Sequence, residues 1–164
     1  METTRLTPRT EALAMRLDPQ IKYMAELVSR QERRSLTSFV EWAIDQALRE
    51  VRLNVEGVDV PAAQAMDRLW DIDGAERLRK LSERCPNLLN YEEHRLMHLV
   101  VNFMTDGAKP LRFTNGGEIN WSLVKACWQQ LKDYVPEGVD TKENLVASLR
   151  LAQQENKTKP PKRK

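Results

Sequence analysis

Little in this chain points to catalysis, secretion or a membrane. Of its 164 residues only two are cysteine and 6% are aromatic. Cys85 and Cys127 stand alone, without the Cys-x-x-Cys spacing of a redox or zinc site, and read as buried thiols of a cytosolic protein. No apolar run exceeds a few residues, which excludes a membrane-spanning helix from the expectation. The opening residues Met1-Glu-Thr-Thr-Arg5 lack the apolar core of a signal peptide. There is no phosphate loop, no Gly-x-Ser-x-Gly elbow and no zinc-finger spacing, and no nucleophile, base or paired carboxylate stands out from helix caps and surface charge. The chain is therefore expected to be no enzyme, to need no cofactor and to work in the cytoplasm.

Charge is present in quantity and unevenly placed. The 26 basic and 24 acidic residues nearly balance. Five of the basic residues fall in Lys157–Lys164, which holds no acid, so residues 1–156 carry 21 basic against 24 acidic, a net of −3. The body is not broadly basic. Residues 156–164 are expected to be a disordered basic tail and residues 1–10 a flexible basic arm, each able to add nonspecific attraction to phosphates.

Hydrophobic periodicity organises the first third. From Ala12 to Leu17 the residues alternate, Leu13, Met15 and Leu17 pointing one way and Ala12, Ala14 and Arg16 the other, as in a half-buried strand. Asp18 offers an N-cap oxygen, and Pro19 suits a first helical turn, where its missing N–H costs nothing. Ile21, Met24, Ala25 and Val28 then repeat at helical spacing until the polar run Ser29–Arg34. Ser35 is the next N-cap. Val40, Ala43, Ile44, Ala47, Leu48 and Val51 continue the period in a second amphipathic helix over about 36–51. One strand and two helices cannot bury enough surface to be stable alone, and a lone strand is unpaired on both edges, so a second chain is required. A twofold dimer with paired strands and interlocked helices is the economical solution, its core built from Leu13, Met15, Leu17, Ile21, Val28, Phe39, Val40 and Ile44.

On these residues, Glu11–Arg52 resembles the ribbon-helix-helix repressors of the Arc and MetJ type, which read DNA with strands. The resemblance covers about a quarter of the chain. It implies that Ala12, Ala14 and Arg16 face bases in the major groove, where an arginine can hold guanine O6 and N7 bidentately. It further implies phosphate contacts by Ser35 with the amides of Leu36 and Thr37, joined by Arg9, Lys22, Arg33 and Arg34. Two departures stand out. Ala12 and Ala14 replace the longer polar side chains usual at readout positions, and Arg33 sits where the family has a glycine of positive φ. The phrase Ser35-Leu-Thr-Ser-Phe-Val40 is similar to the antitoxin branch of the superfamily, whose members repress their own operon and neutralise a toxin.

Beyond Arg52 the chain changes character. Residues 53–61, with Gly57 and Pro61, read as a linker, and residues 62–155 as an all-helical domain of no recognised family. Asp73–Glu76 and Asn90–Glu93 have the form of capping boxes, Pro86 and Gly107 mark the ends of the helices they open, and Asp140–Glu143 opens another helix. Asn120 is placed to cap a helix with the stripe Val124, Cys127, Trp128, Leu131 and Val135, after a Gly-Asn-rich loop at Thr114–Gly117. His94 and His98, at i and i+4, have the spacing of two metal ligands but no third nearby, opposite a core side of Leu96, Leu99, Val100 and Phe103. Met97, Val101 and Met104 widen that apolar arc.

The resulting expectation is a mainly α protein with an N-terminal ribbon-helix-helix unit forming an intertwined homodimer, higher oligomers being possible on DNA. Its function is sequence-specific binding of double-stranded DNA, as a transcriptional repressor of bacterial, phage or plasmid type that is nucleoid-associated when bound. The alternative is an antitoxin-like adaptor or inhibitor whose helical domain captures another protein, the N-terminal unit serving only to dimerise.

Overall fold

The computed structural model describes residues 13–105, 111–137 and 142–158, and the statements below concern those residues. The chain is mainly helical and divides into two compact units, Met1–Ala47 and Leu48–Lys164. The boundary falls inside the second helix, five residues earlier than the Arg52 edge drawn from sequence.

The first unit contains α1 (Pro19–Gln31) and most of α2 (Leu36–Glu50). Asp18 caps α1 as expected, its carboxylate accepting the amides of Gln20 at 2.8 Å and Ile21 at 3.4 Å. Ser35 caps α2, its Oγ accepting the Ser38 amide at 3.1 Å. The strand expected over Ala12–Leu17 is not formed. Residues 13–18 carry no regular structure, and Ala12 lies outside the described residues. The reason is physical: a strand exists through its ladder, and one copy of the chain supplies no second strand for it.

The second unit opens on a hairpin rather than a linker. β1 (Arg52–Val55) pairs antiparallel with β2 (Val58–Pro61), Val55 opposite Val58, around a turn in which Glu56 and Gly57 both have positive φ, 55° and 82°. These are the angles of a type I′ turn, whose twist matches that of the strands it joins. The hairpin leans on the end of α4 (Gly74–Arg84): the Glu56 amide donates to the Arg84 carbonyl at 3.0 Å, and Cys85 Sγ donates to the Asn54 carbonyl at 3.4 Å. With α3 (Ala62–Leu69) it encloses a small cluster around Val55, Ala65 and Cys85.

The larger core is built by α4, α5 (Tyr91–Asn102), α6 (Trp121–Ala126), α7 (Trp128–Glu137) and α8 (Lys142–Thr158). Phe113, Leu131, Leu145 and Leu149 are fully buried in it. A short 3₁₀ turn over Pro86–Leu88 follows α4. Asn90 and Glu93 form the full reciprocal capping box. Asp73 caps α4, but Glu76 turns to Arg79 instead of closing the box. Thr114–Gly117, read as a loop, forms most of a second hairpin, β3 (Thr114–Asn115) with β4 (Glu118–Ile119), so the unit is not all-helical. Asn120 caps as expected, yet the single helix drawn after it breaks at Cys127, φ −105° and ψ 16°. The break lets α6 pack on α4 while α7 packs on α5, and both meet α8. At the C-terminus α8 runs to Thr158, so the first three residues assigned to the disordered tail are helical; Lys159–Lys164, Asp140 and Gly107 lie outside the described residues.

Ion pairs tie the α3–α4 connection to its neighbours. Asp71 meets Lys80 at 2.9 Å, Asp73 meets Lys125 of α6 at 2.7 Å, and Arg79 bridges Glu76 and Glu83. Hydrogen bonds from Lys80, Lys125 and Arg79 respectively hold the carboxyls of Asp71, Asp73 and Glu76 below their ordinary range. Gly74, the first residue of α4, sits against the indole of Trp128, where an added Cβ would come within 2.6 Å of Nε1. Gly74→Ala is therefore expected to destabilise the second unit by about 1–3 kcal/mol through overpacking, despite alanine's better helix propensity. Denaturant unfolding measures this, and an unchanged or raised midpoint would contradict it.

Candidate nucleic-acid interface

The turn between α1 and α2 is closed by its backbone. The Arg34 amide donates to the Ser29 carbonyl at 2.9 Å and the Arg33 amide to the Arg30 carbonyl at 3.1 Å, with Arg33 at φ 54°. This is a Schellman ending with arginine at the left-handed position that glycine usually fills. Arg33 thus keeps the turn the family makes with glycine, in a conformation that strains a residue carrying a side chain. Arg33→Gly is expected to stabilise the first unit by about 0.5–1 kcal/mol, the left-handed penalty being partly offset by glycine's greater freedom when unfolded. Unfolding at fixed protein concentration tests it, and a lowered midpoint would speak against strain at this residue.

The turn sets a group of exposed cations beside the start of α2. Arg33 and Arg34 are both exposed, and the Arg34 guanidinium lies over the Trp42 ring, 5.9 Å from its centroid. Phe39 tilts against Trp42 with centroids 5.8 Å apart. Ser35 spends its hydroxyl oxygen on the Ser38 amide, while Leu36 is half-buried and Thr37 exposed. Lys22 is held loosely by Glu26 at 3.8 Å, as is Arg30 at 3.7 Å, in exposed pairs of small energetic weight. Arg16 and Ala14 are exposed in the segment before α1, whereas Ala12 and Arg9 lie outside the described residues.

The residues assigned to a dimer core have no core within one chain. Leu13 is 73% exposed, Ile21 60%, and Met15, Leu17 and Ile44 are also exposed; Val28, Phe39 and Val40 are half-buried. Tyr23, Met24 and Trp42 add to this apolar surface. Among residues 13–47 the sole buried side chain is Ser29, whose Oγ donates to the Glu26 carbonyl. Ordering a residue costs roughly 1–2 kcal/mol of backbone entropy, and within one chain this helix pair sets only half-buried apolar side chains such as Val28, Phe39 and Val40 against that.

No protein-family model, curated protein or solved structure matches the chain. Sites elsewhere offer less. His94 and His98 are exposed on α5, and among the described residues no three His, Cys, Asp or Glu side chains gather as metal ligands would. Burial pushes the Cys127 thiol up to about 11 and raises that of Cys85, so both stay protonated near neutral pH. No helix among the described residues is long and apolar enough to cross a membrane. Sequence reasoning missed the stacking of Arg34 on Trp42. Arg34 precedes α2 and lies eight residues from Trp42, so no helical spacing announces the contact.

Proposed function

We propose that the chain is a DNA-binding regulator that acts as a homodimer, with a ribbon formed by residues 12–17 of two copies entering the major groove. The observation that carries this reading is the pairing of two well-capped helices with an apolar face that a single chain leaves in solvent. Leu13, Met15, Leu17, Ile21 and Ile44 are the side chains a ribbon-helix-helix dimer buries, and all five are exposed in one copy. The alternation before Asp18 then places Arg16 on the opposite side of the ribbon from Met15 and Leu17. Arg16 reads bases, while Arg33, Arg34 and the start of α2 fix the register on phosphates. Repression is steric: the dimer occupies half-sites whose symmetry mirrors its own. With alanine at position 14, and at 12, the base code is thin, so useful specificity comes from several dimers bound side by side.

Arg16→Ala tests the assignment. Purified full-length protein is mixed with sheared genomic DNA, and the retained fragments are sequenced for wild type and variant. Wild type is expected to retain an inverted or tandem repeat. The variant is expected to lose most of that preference, each bidentate contact being worth about 1–3 kcal/mol, while keeping its fold because Arg16 is exposed. A variant that selects the same fragments as wild type removes Arg16 from the readout.

A second reading, protein capture by the second unit, draws on the acidic body, net −3 over residues 1–156, and on the alanines at readout positions. Salt separates the two: affinity that rests on phosphates falls steeply as salt rises, whereas an apolar protein contact changes little.

A further inference from the structure

The smaller hydrophobic cluster of the second unit is open on one side. Val55, Ala65 and Cys85 are its buried members, and Leu53, Val60, Leu69 and Leu81 are only partly covered. The opening is a cleft of about 330 Å3 whose apolar wall includes Leu48, Leu53, Met66, Leu69, Trp70 and Leu81. Trp70 is 58% exposed and Met66 51%. The backbone of Trp70 is nonetheless fixed, its amide donating to the Met66 carbonyl at 2.8 Å and its carbonyl accepting Lys80 Nζ at 2.9 Å. A large indole on a hydrogen-bonded stretch of backbone thus keeps much of its surface in water.

The rim carries one cation and one anion, Arg77 and Glu93. Arg77 donates to the Asp71 carbonyl at 3.2 Å and Glu93 accepts the Asn90 amide at 2.8 Å. Among the described residues neither forms an ion pair within the chain. Tryptophan, methionine and arginine are the residues that protein interfaces favour, with tryptophan and arginine the commonest anchors. A patch with an apolar centre and charges of both signs on its edge, neither in an ion pair, can match itself under a twofold axis that brings each copy's arginine to the other's glutamate. A foreign partner would require no such balance.

We propose that this cleft is a self-association surface covered by the same cleft of a second copy, with Trp70 as its anchor and Arg77 paired to Glu93 across the axis. The surface uses none of the residues of the N-terminal dimer proposed above and does not rest on that reading. Where both contacts form, the cleft joins dimers into tetramers or longer assemblies.

Sedimentation of the full chain over a range of concentrations tests the proposal with four proteins: wild type, Trp70→Ser, Ile21→Asp and the double variant. Wild type is expected to reach at least a tetramer, each single variant to stop at a dimer and the double variant to be monomeric. If Trp70→Ser keeps the wild-type mass at every concentration, the cleft proposal is overturned whatever Ile21→Asp does. A mass that falls only with Trp70→Ser supports the cleft and overturns the N-terminal dimer, and a monomeric wild type overturns both. Charge variants guard against misfolding at Trp70. Arg77→Glu is expected to weaken association at least tenfold and Arg77→Gln to weaken it less; an Arg77→Glu variant that associates as wild type overturns the twofold pairing.

Discussion

Ile21→Asp is expected to abolish DNA binding and halve the particle mass, although Ile21 is 60% exposed in a single chain. Judged on one copy, the substitution touches little, and surface changes of that kind usually shift stability by no more than about 0.5 kcal/mol. In the proposed dimer Ile21 lies in the shared core and a carboxylate there must be desolvated without a partner, at a cost of several kcal/mol per copy. The two accounts differ by enough to be decisive. Sedimentation and anisotropy of a labelled operator fragment, measured together, read out mass and affinity. A variant that keeps both would show that the exposed face of α1 is ordinary surface. Loss of DNA binding at unchanged mass would place Ile21 at the DNA contact and remove it from the dimer core.

Phe113→Ala is expected to destabilise the second unit by about 3–5 kcal/mol, the ordinary cost of removing a buried phenylalanine ring. Phe113 is fully buried and stacks at a tilt on Phe103, ring centroids 5.7 Å apart. It also anchors the hairpin that follows, since its carbonyl accepts the Asn120 amide at 2.7 Å. The midpoint of thermal unfolding should fall by roughly 15 °C. Because the chain has two units, two transitions are expected, and only that of the second unit should move. A shift of less than about 1 kcal/mol would mean that the core around Phe113 collapses onto the space left behind. Ile21→Asp should do the opposite and disturb only the first unit, so the pair of variants assigns each transition.

What the sequence made legible was local. Asp18, Ser35, Asn90 and Asn120 were each identifiable as caps because a cap is a contract between one side chain and amides two or three residues on. The amphipathic stripes of α1 and α2 were likewise visible in the spacing of Ile21, Val28, Val40 and Ile44. The hairpin over 52–61 was hidden by its punctuation. Gly57 and Pro61 read as a linker, whereas Leu53 and Val55 facing Val58 and Val60 around Glu56-Gly57 carried the alternation of a hairpin. The end of the α6 stripe was hidden differently: Val124, Cys127 and Leu131 keep helical spacing, and nothing local announces the break at Cys127.

By itself, then, the sequence determined where several helices begin, which of their faces are apolar and that its cysteines are core thiols. Tertiary structure alone decided the hairpin's place against the end of α4, the split of α6 from α7, the seat of Gly74 under Trp128 and the open cleft beside Trp70. The division has a physical reason. Caps and stripes depend on contacts within a turn or two of helix, which a short window of sequence contains. Strand pairing, helix breaks and clefts depend on which distant surfaces compete to cover one another, and that competition is settled only when the whole chain is packed.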